Sequence, residues 1–203
     1  EMKKSVLATV AAAAAFAMSP AASADVVSIS SLGYGLEGFG AFSGLVSYVP
    51  GTLTVTLTND NSSFAGGRIT AFAFNIDGNA TATLATATHP FLNITAPVTA
   101  SPYGTFDAGA GLDGNWTGGG TPSNGIAIGA TGTFTFNVTG PGAASLTAAS
   151  FVAPSPDVNF VVRFRGFANG GSDKTPGYII PSPGAASLVG LGLVAVASRR
   201  RRD

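Results

Sequence analysis

The sequence predicts an all-β fold, a single β-sandwich (jelly-roll-like) domain. Several short segments alternate apolar and polar residues, turn signals rich in glycine and asparagine recur between them, and no long amphipathic helix competes. Charged residues make up only 10% of the chain while threonine and glycine are abundant, which is typical of an extracellular β-domain. A closed barrel is the alternative architecture.

The clearest strand is Thr52–Thr58, a strict alternation of threonine with apolar residues. Because side chains alternate across a strand, Leu53, Val55 and Leu57 are predicted to face the core and the threonines to face solvent. Residues 59–61, Asn-Asp-Asn, are predicted to close the strand as a turn.

Three further segments follow the same scheme, with alternate apolar residues defining an inward face. They are Arg68–Asp77 with Phe72, Phe74 and Ile76 inward, Thr133–Thr139 with Phe134, Phe136 and Val138 inward, and Phe160–Phe167 with Phe160, Val162 and Phe164 inward. The dipeptide Asp77-Gly78 predicts a hairpin turn. Weaker strands are predicted at Val26–Ser30, Leu45–Val49, Ala80–Thr86, Gly104–Asp107, Asn124–Ile128 and Leu146–Val152.

The N-terminal residues have the three parts of a secretory signal peptide. Lys3 and Lys4 form a basic region, Val6–Met18 is apolar, and small residues at Ala22 and Ala24 mark a cleavage site. The sequence therefore predicts a signal-peptide helix within residues 1–24, removed by signal peptidase after Ala24.

The C-terminal residues 181–203 also have three parts. The segment begins with Pro181, Ser182, Pro183 and Gly184, continues as the uncharged run 185–198, and ends with the cluster Arg199, Arg200, Arg201 and Arg202 before Asp203. As a helix, fourteen residues span about 21 Å, against a hydrocarbon core of ~30 Å that the flanking arginines can help to bridge. Since positive charge stays cytoplasmic, this pattern predicts a transmembrane helix at 185–198 with the preceding domain outside.

This tail resembles the PEP-CTERM sorting signal of bacterial surface proteins, in which a Pro-Glu-Pro-like motif, an apolar helix and an arginine cluster stand at the C-terminus. Here Pro181-Ser182-Pro183 occupies the place of Pro-Glu-Pro, without the central acid. The module is sometimes labelled an ice-binding protein C-terminal domain, a label from which we infer no ice binding. The resemblance implies that an exosortase-like membrane enzyme cuts near Pro181–Gly184. A permanent membrane anchor is the alternative.

Residues 25–172 are predicted to form the extracellular domain, and residues 173–180 a linker to the tail. Between Asp25 and Gly177 there are eight acidic and four basic residues, so this part carries a net charge of −4, which argues against nucleic acid as a partner. No cysteine occurs, which excludes disulfides, thiolate metal sites and a cysteine nucleophile. Two segments strengthen the resemblance to PEP-CTERM ectodomains: Gly66–Asn75, and Arg163–Phe167 with the following Gly170–Lys174.

Candidate ligand contacts are few. Trp116, in a glycine-rich loop, and Tyr103 could stack on a sugar ring, although burial of the Trp over a sheet edge is the favoured interpretation. Arg163 and Arg165, which are predicted to share a strand face with Val161 and Phe167, could hold an acidic polysaccharide. The favoured interpretation is that Glu37, Asp157 and Asp173 neutralise them. Asp107, Asp113 and Asn115 offer oxygen ligands to calcium, but turn formation explains them better.

Catalytic residues are scarcer still. The single histidine, His89, precedes a proline, and no Gly-x-Ser-x-Gly motif accompanies it. We therefore predict a non-enzyme without cofactors: an exported protein that passes the inner membrane and reaches the cell surface, outer envelope or extracellular matrix. A surface-anchored carbohydrate-binding module is the alternative, and a hydrolase with its site near His89 or Glu37 is a distant third.

Overall fold

The computed structural model describes residues 23–31, 39–117, 120–154 and 156–181. The predicted signal-peptide helix, the predicted transmembrane helix 185–198, the arginine cluster and Glu37 lie outside these ranges. Among the described residues, no helix is long and apolar enough to cross a membrane.

The described part of the chain is all-β, as predicted; its only helices are 3-10 turns. The strands are β1 (Asp25–Ser30), β2 (Phe42–Val49), β3 (Thr52–Asn59), β4 (Gly66–Phe74), β5 (Thr81–Ala87), β6 (Phe91–Asn93), β7 (Val98–Thr99), β8 (Thr105–Phe106), β9 (Ala108–Leu112), β10 (Thr131–Thr139), β11 (Phe160–Phe167), β12 (Ser172–Pro176) and β13 (Tyr178–Ile180). The 3-10 turns are Pro122–Asn124, Ala143–Ser145 and Ala148–Phe151.

Two sheets account for most of these strands. One has six strands in the order β13-β1-β2-β3-β10-β5, and the other has five in the order β12-β11-β4-β9-β6. β7 and β8 form a separate two-stranded ribbon, and every pairing between these strands is antiparallel. Side chains from both sheets meet in one hydrophobic cluster, which gives a sandwich-like arrangement.

Phenylalanine rings from the two sheets interlock at the centre of this cluster. Phe72 of β4 lies 4.8 Å from Phe134 and 5.9 Å from Phe136, both of β10, measured between ring centroids. Phe160 of β11 stacks against Phe72 at 5.8 Å. The predicted inward residues of all four clear strands are buried, because alternation matches a strand with one face on this core.

A second buried cluster covers the outer face of the five-stranded sheet. Ala71 and Ala73 of β4 and Val161 of β11 pack there against Trp116 and against Phe106 of β8. The five-stranded sheet is thus covered on both sides over part of its area, and every residue of β9 is buried.

Three local predictions are wrong. Asp77-Gly78 does not join a hairpin, because β4 pairs with β9 and β11 and the chain crosses after it to β5 in the other sheet. Of the predicted strand Asn124–Ile128, Asn124 belongs to a 3-10 turn, and Ile126 and Ile128 make only isolated bridges. The predicted strand Leu146–Val152 contains the 3-10 turn Ala148–Phe151.

The prediction of a linker at residues 173–180 is also wrong, because these residues form most of β12 and all of β13. These strands are the edges of different sheets, and Gly177 alone joins them. A Cβ atom at Gly177 would lie 2.8 Å from Phe42 Cζ and 3.0 Å from Phe160 Cδ1, so only glycine fits this close passage. The folded domain therefore continues to Ile180.

The first and last strands are neighbours. β1 pairs with β13 so that Ser28 lies opposite Ile180 and Ser30 lies opposite Tyr178. The strands run antiparallel, so the chain leaves Ile180 in the direction of Asp25, where β1 begins. Both ends of the described domain therefore emerge on the same side.

Candidate functional site

Trp116 is not an exposed aromatic surface. Its side chain is only 5% exposed and packs with Ile94, Val98 and Phe106 over the five-stranded sheet. This agrees with the interpretation favoured from the sequence and removes Trp116 as a sugar-stacking residue. Tyr103 is half-buried and packs against the same cluster, so the pair does not form an open aromatic platform.

The calcium candidates act in turns. The Oδ2 atom of Asp107 accepts a hydrogen bond from the backbone N–H of Ile76 at 2.9 Å. The Oδ1 atom of Asn115 accepts from both the N–H and the hydroxyl of Thr117 at 2.8 Å. Asp113 is exposed, in a left-handed turn conformation with φ 55°. Within the described ranges, no three histidine or acidic side chains gather in a group that could hold a metal ion.

His89 lies at the surface beside β6. Its Nδ1 atom is 3.2 Å from the hydroxyl of Thr88, and its ring meets that of Phe91 edge-on at 6.4 Å. Partial burial removes solvent from the ring and lowers its pKa below the usual value. Neither neighbour is a carboxylate or a nucleophile activated for catalysis.

The lowered pKa predicts a pH dependence of stability. The unfolded chain binds a proton on His89 more readily than the folded domain, so folding is weakened as pH falls below about 6.5. We expect the melting temperature to decline between about pH 7.5 and 5.5 more steeply in the natural chain than in His89→Gln. Identical slopes of melting temperature against pH in the two proteins would contradict this assignment.

The carboxylate of Asp173 is fully buried on the inner side of β12. Its Oδ2 atom accepts from the N–H of Gly40 at 2.8 Å and from the hydroxyl of Thr175 at 3.1 Å, and its Oδ1 atom accepts from the N–H of Lys174 at 2.8 Å. Asp173 thus fastens the segment before β2 to the edge of the other sheet, a structural role that sequence analysis missed.

The outer side of the same edge carries positive charge. Arg163 of β11 lies directly opposite Lys174 of β12, and Arg165 of β11 lies directly opposite both Ser172 of β12 and Arg68 of β4. All four basic residues of the domain therefore stand on three adjacent strands; we term Arg68, Arg163, Arg165 and Lys174 the basic patch. Sequence analysis identified only the two that are close in sequence.

Backbone carbonyls hold three of these cations in place. The guanidinium of Arg68 donates to the carbonyl of Gly125 at 3.4 Å, and that of Arg165 donates to the carbonyl of Gly120 at 3.3 Å. The ammonium of Lys174 donates to the carbonyl of Ser101. A shallow depression of about 370 Å³ lies beside Arg163 and Arg165, with Pro122, Ser172 and three glycines as its other walls.

Phe167 does not lie on the face of β11 that carries the arginines. Arg163 and Arg165 were predicted to share a face with Val161 and Phe167, but Gly166, which stands between Arg165 and Phe167, has a positive φ of 74° that interrupts the alternation of β11. Phe167 consequently turns to the main core, where its ring centroid lies 6.2 Å from that of Phe164, while Val161 remains in the outer cluster. The prediction that Phe167 shares the face of the arginines is therefore wrong.

A larger cleft of about 630 Å³ lies at the other end of the sandwich from the two chain ends. Phe167 lines its base, and Phe64 and Phe39, which are 92% and 54% exposed, stand at its sides together with the carboxylate of Asp60. Gly67 shapes the base, because at φ +87° a Cβ atom there would come within 2.6 Å of the Phe167 ring.

Two buried asparagines anchor the loop that carries Phe64. Asn59 donates from Nδ2 to the carbonyls of Gly67 and Ile126, at 3.1 and 2.9 Å. Asn61 accepts from the N–H of Ala41 at 2.7 Å and donates to the carbonyl of Gly66 at 2.9 Å. The predicted Asn-Asp-Asn turn is thus a hydrogen-bonded junction between strands, and its amide groups are engaged there.

Comparison with known protein families, with curated proteins and with solved structures found no match for this chain.

Proposed function

We propose that the chain is an exported bacterial surface or extracellular-matrix protein, sorted by its C-terminal segment, with a non-catalytic structural or interaction role. The tail carries the main support: Pro181-Ser182-Pro183-Gly184, the uncharged run 185–198 and four arginines stand in the order of a PEP-CTERM signal. Signal peptidase and an exosortase-like membrane enzyme are the processing partners, and the inner membrane holds the protein transiently. The domain itself needs no cofactor for this role.

The boundaries of the strands support this assignment. β1 begins at Asp25, the residue after the proposed signal-peptidase cut, and Asp25 accepts a hydrogen bond from the N–H of Ala148 at 2.8 Å. β13 ends at Ile180, before the proposed exosortase site at Pro181–Gly184. Cleavage at both places would leave every described strand complete.

The position of the two chain ends on one side of the domain also supports export and sorting through the membrane. Before processing, the signal peptide and the tail would both be in the membrane, and a domain whose two ends emerge on one side can be held outside by both. We further propose that the domain is a single β-sandwich of jelly-roll type, since two sheets share one core and six connections cross between them.

Intact-mass spectrometry of the protein recovered from native cells tests the sorting proposal. We expect a mature chain that begins at Asp25, ends between Pro181 and Gly184, and carries whatever group the sorting enzyme attaches. A species that retains residues 185–203 in the membrane would support a permanent anchor instead and would refute processing.

Matched charge variants sharpen this test. Replacing Arg199, Arg200, Arg201 and Arg202 by glutamine is expected to leave the tail unprocessed, because its orientation in the membrane depends on those charges. The control Arg163→Gln/Arg165→Gln removes arginines from the domain and should be processed normally. Normal processing of the tail variant would count against the proposal.

The alternative is a surface-anchored carbohydrate-binding module. Trp116 and Tyr103 do not support it, because both side chains pack over the sheet. A different group of residues, the basic patch, supports an interaction with a charged carbohydrate.

A further inference from the structure

We propose that the basic patch binds an acidic polysaccharide through the carboxylate or sulfate groups of the polymer. The proposal depends on the proposed function for its setting, a protein outside the cell in contact with matrix polymers. It identifies the site, Arg68, Arg163, Arg165 and Lys174, and the chemical class of the ligand.

The concentration of charge is the first argument. The segment 25–177 has a net charge of −4, yet its four basic residues all lie on the outer side of β4, β11 and β12. Such an island of positive charge on an acidic domain attracts a polyanion locally while the rest of the surface repels it. The site therefore restricts the orientation in which a polyanion can approach.

The pairing is the second argument. Arg163 opposite Lys174 and Arg165 opposite Arg68 are like-charged cross-strand pairs, with Cβ atoms about 5 Å apart in antiparallel sheets. Like charges in that position destabilise a sheet, so the free energy of folding does not account for the arrangement. A bound polyanion would relieve the repulsion, and this gain favours binding.

The local geometry is the third argument. The carbonyls of Gly125, Gly120 and Ser101 hold three of the cations, so these side chains are positioned before a ligand arrives. A guanidinium has five N–H donors and can bind a carboxylate or sulfate through two of them while another stays on the carbonyl.

The shape of the surface favours a polymer over a small anion. The cations extend across three strands, about 10 Å at the usual strand spacing, and the depression beside Arg163 and Arg165 is open and shallow. A single phosphate or sulfate would reach one or two of them. A chain with a charge on successive sugar units would reach all four.

The test uses the full chain in a zwitterionic, sugar-free detergent, because glycosidic detergents would compete for a carbohydrate site. The tail arginines would themselves attract polyanions, so the reference protein has Arg199–Arg202 replaced by glutamine. Binding of alginate, of neutral dextran and of single-stranded DNA to immobilised protein is measured in 50 and 300 mM salt. The patch variant adds Arg163→Gln and Arg165→Gln to the reference protein, and the control variant adds Leu92→Ala, an exposed residue of β6 on the far edge of the same sheet.

We expect the reference protein to bind alginate, to lose most of its affinity for alginate in 300 mM salt, and not to bind dextran. The patch variant should bind alginate roughly tenfold or more weakly, while Leu92→Ala should bind like the reference. Alginate should also raise the melting temperature of the reference protein and not that of the patch variant. Absence of alginate binding, equal affinity for DNA, or unchanged affinity in the patch variant would overturn the proposal, whatever the mass measurement reveals about the tail.

Discussion

Replacing Phe72 by alanine is expected to lower the free energy of unfolding by about 3–5 kcal/mol, a large part of the total for a domain of this size. Phe72 is fully buried, and its ring meets those of Phe74, Phe134, Phe136 and Phe160. The substitution leaves a cavity between the two sheets, where interlocked rings leave the neighbours little freedom to fill it. Urea denaturation followed by circular dichroism measures the loss.

Phe64→Ala is the matched control, because the side chain that it removes is 92% exposed. We expect that variant to unfold within about 0.5 kcal/mol of the natural chain. Similar losses in the two variants would mean that the sheets do not share the core described here.

Asp173→Ala is expected to lower the free energy of unfolding by about 3 kcal/mol, since a buried carboxylate accepts hydrogen bonds from two backbone N–H groups and a hydroxyl. The N–H of Gly40 would remain buried without its acceptor, which costs more than the hydrogen bond alone. Thermal and urea denaturation both report this change.

Asp157→Ala serves as the control, because Asp157 is exposed and should cost little. The comparison also tests the domain boundary. If residues 173–180 were a linker, as the sequence suggested, the two aspartate variants would have the same stability.

The strands that were predicted most accurately from the sequence are those with one face on the core and the other face in solvent. In Thr52–Thr58 and Thr133–Thr139 every second residue is polar because those strands have one solvent face, so the period of two is visible. The predicted inward residues of both strands are buried in the structure.

Strands were missed where tertiary contacts remove the alternation of polar and apolar residues. β9, Ala-Gly-Ala-Gly-Leu, is buried on both faces by the main core and by the cluster around Trp116, so it has no polar alternation to detect. β12 fails for the opposite reason: Ser172, Asp173 and Lys174 look like a linker, but the acid is inward and hydrogen-bonded.

The basic patch could be predicted only in part. Arg163 and Arg165 are two residues apart, so a strand assignment alone puts them on one face. Arg68 joins them through the pairing of β4 with β11, and Lys174 through a strand that was taken for a linker. Long-range strand register, which no local pattern encodes, assembled the site.

The pairing of β1 with β13 has a topological consequence. Because the first and last strands are hydrogen-bonded partners, the backbone of the domain nearly closes into a ring. A short peptide joining residue 181 to residue 24 would complete that ring, and it could be reopened at an exposed turn such as Gly78–Asn79 without interrupting a ladder. The order in which the strands are synthesised is thus separable from the architecture that they build, and circular permutants of this domain are compatible with the same fold.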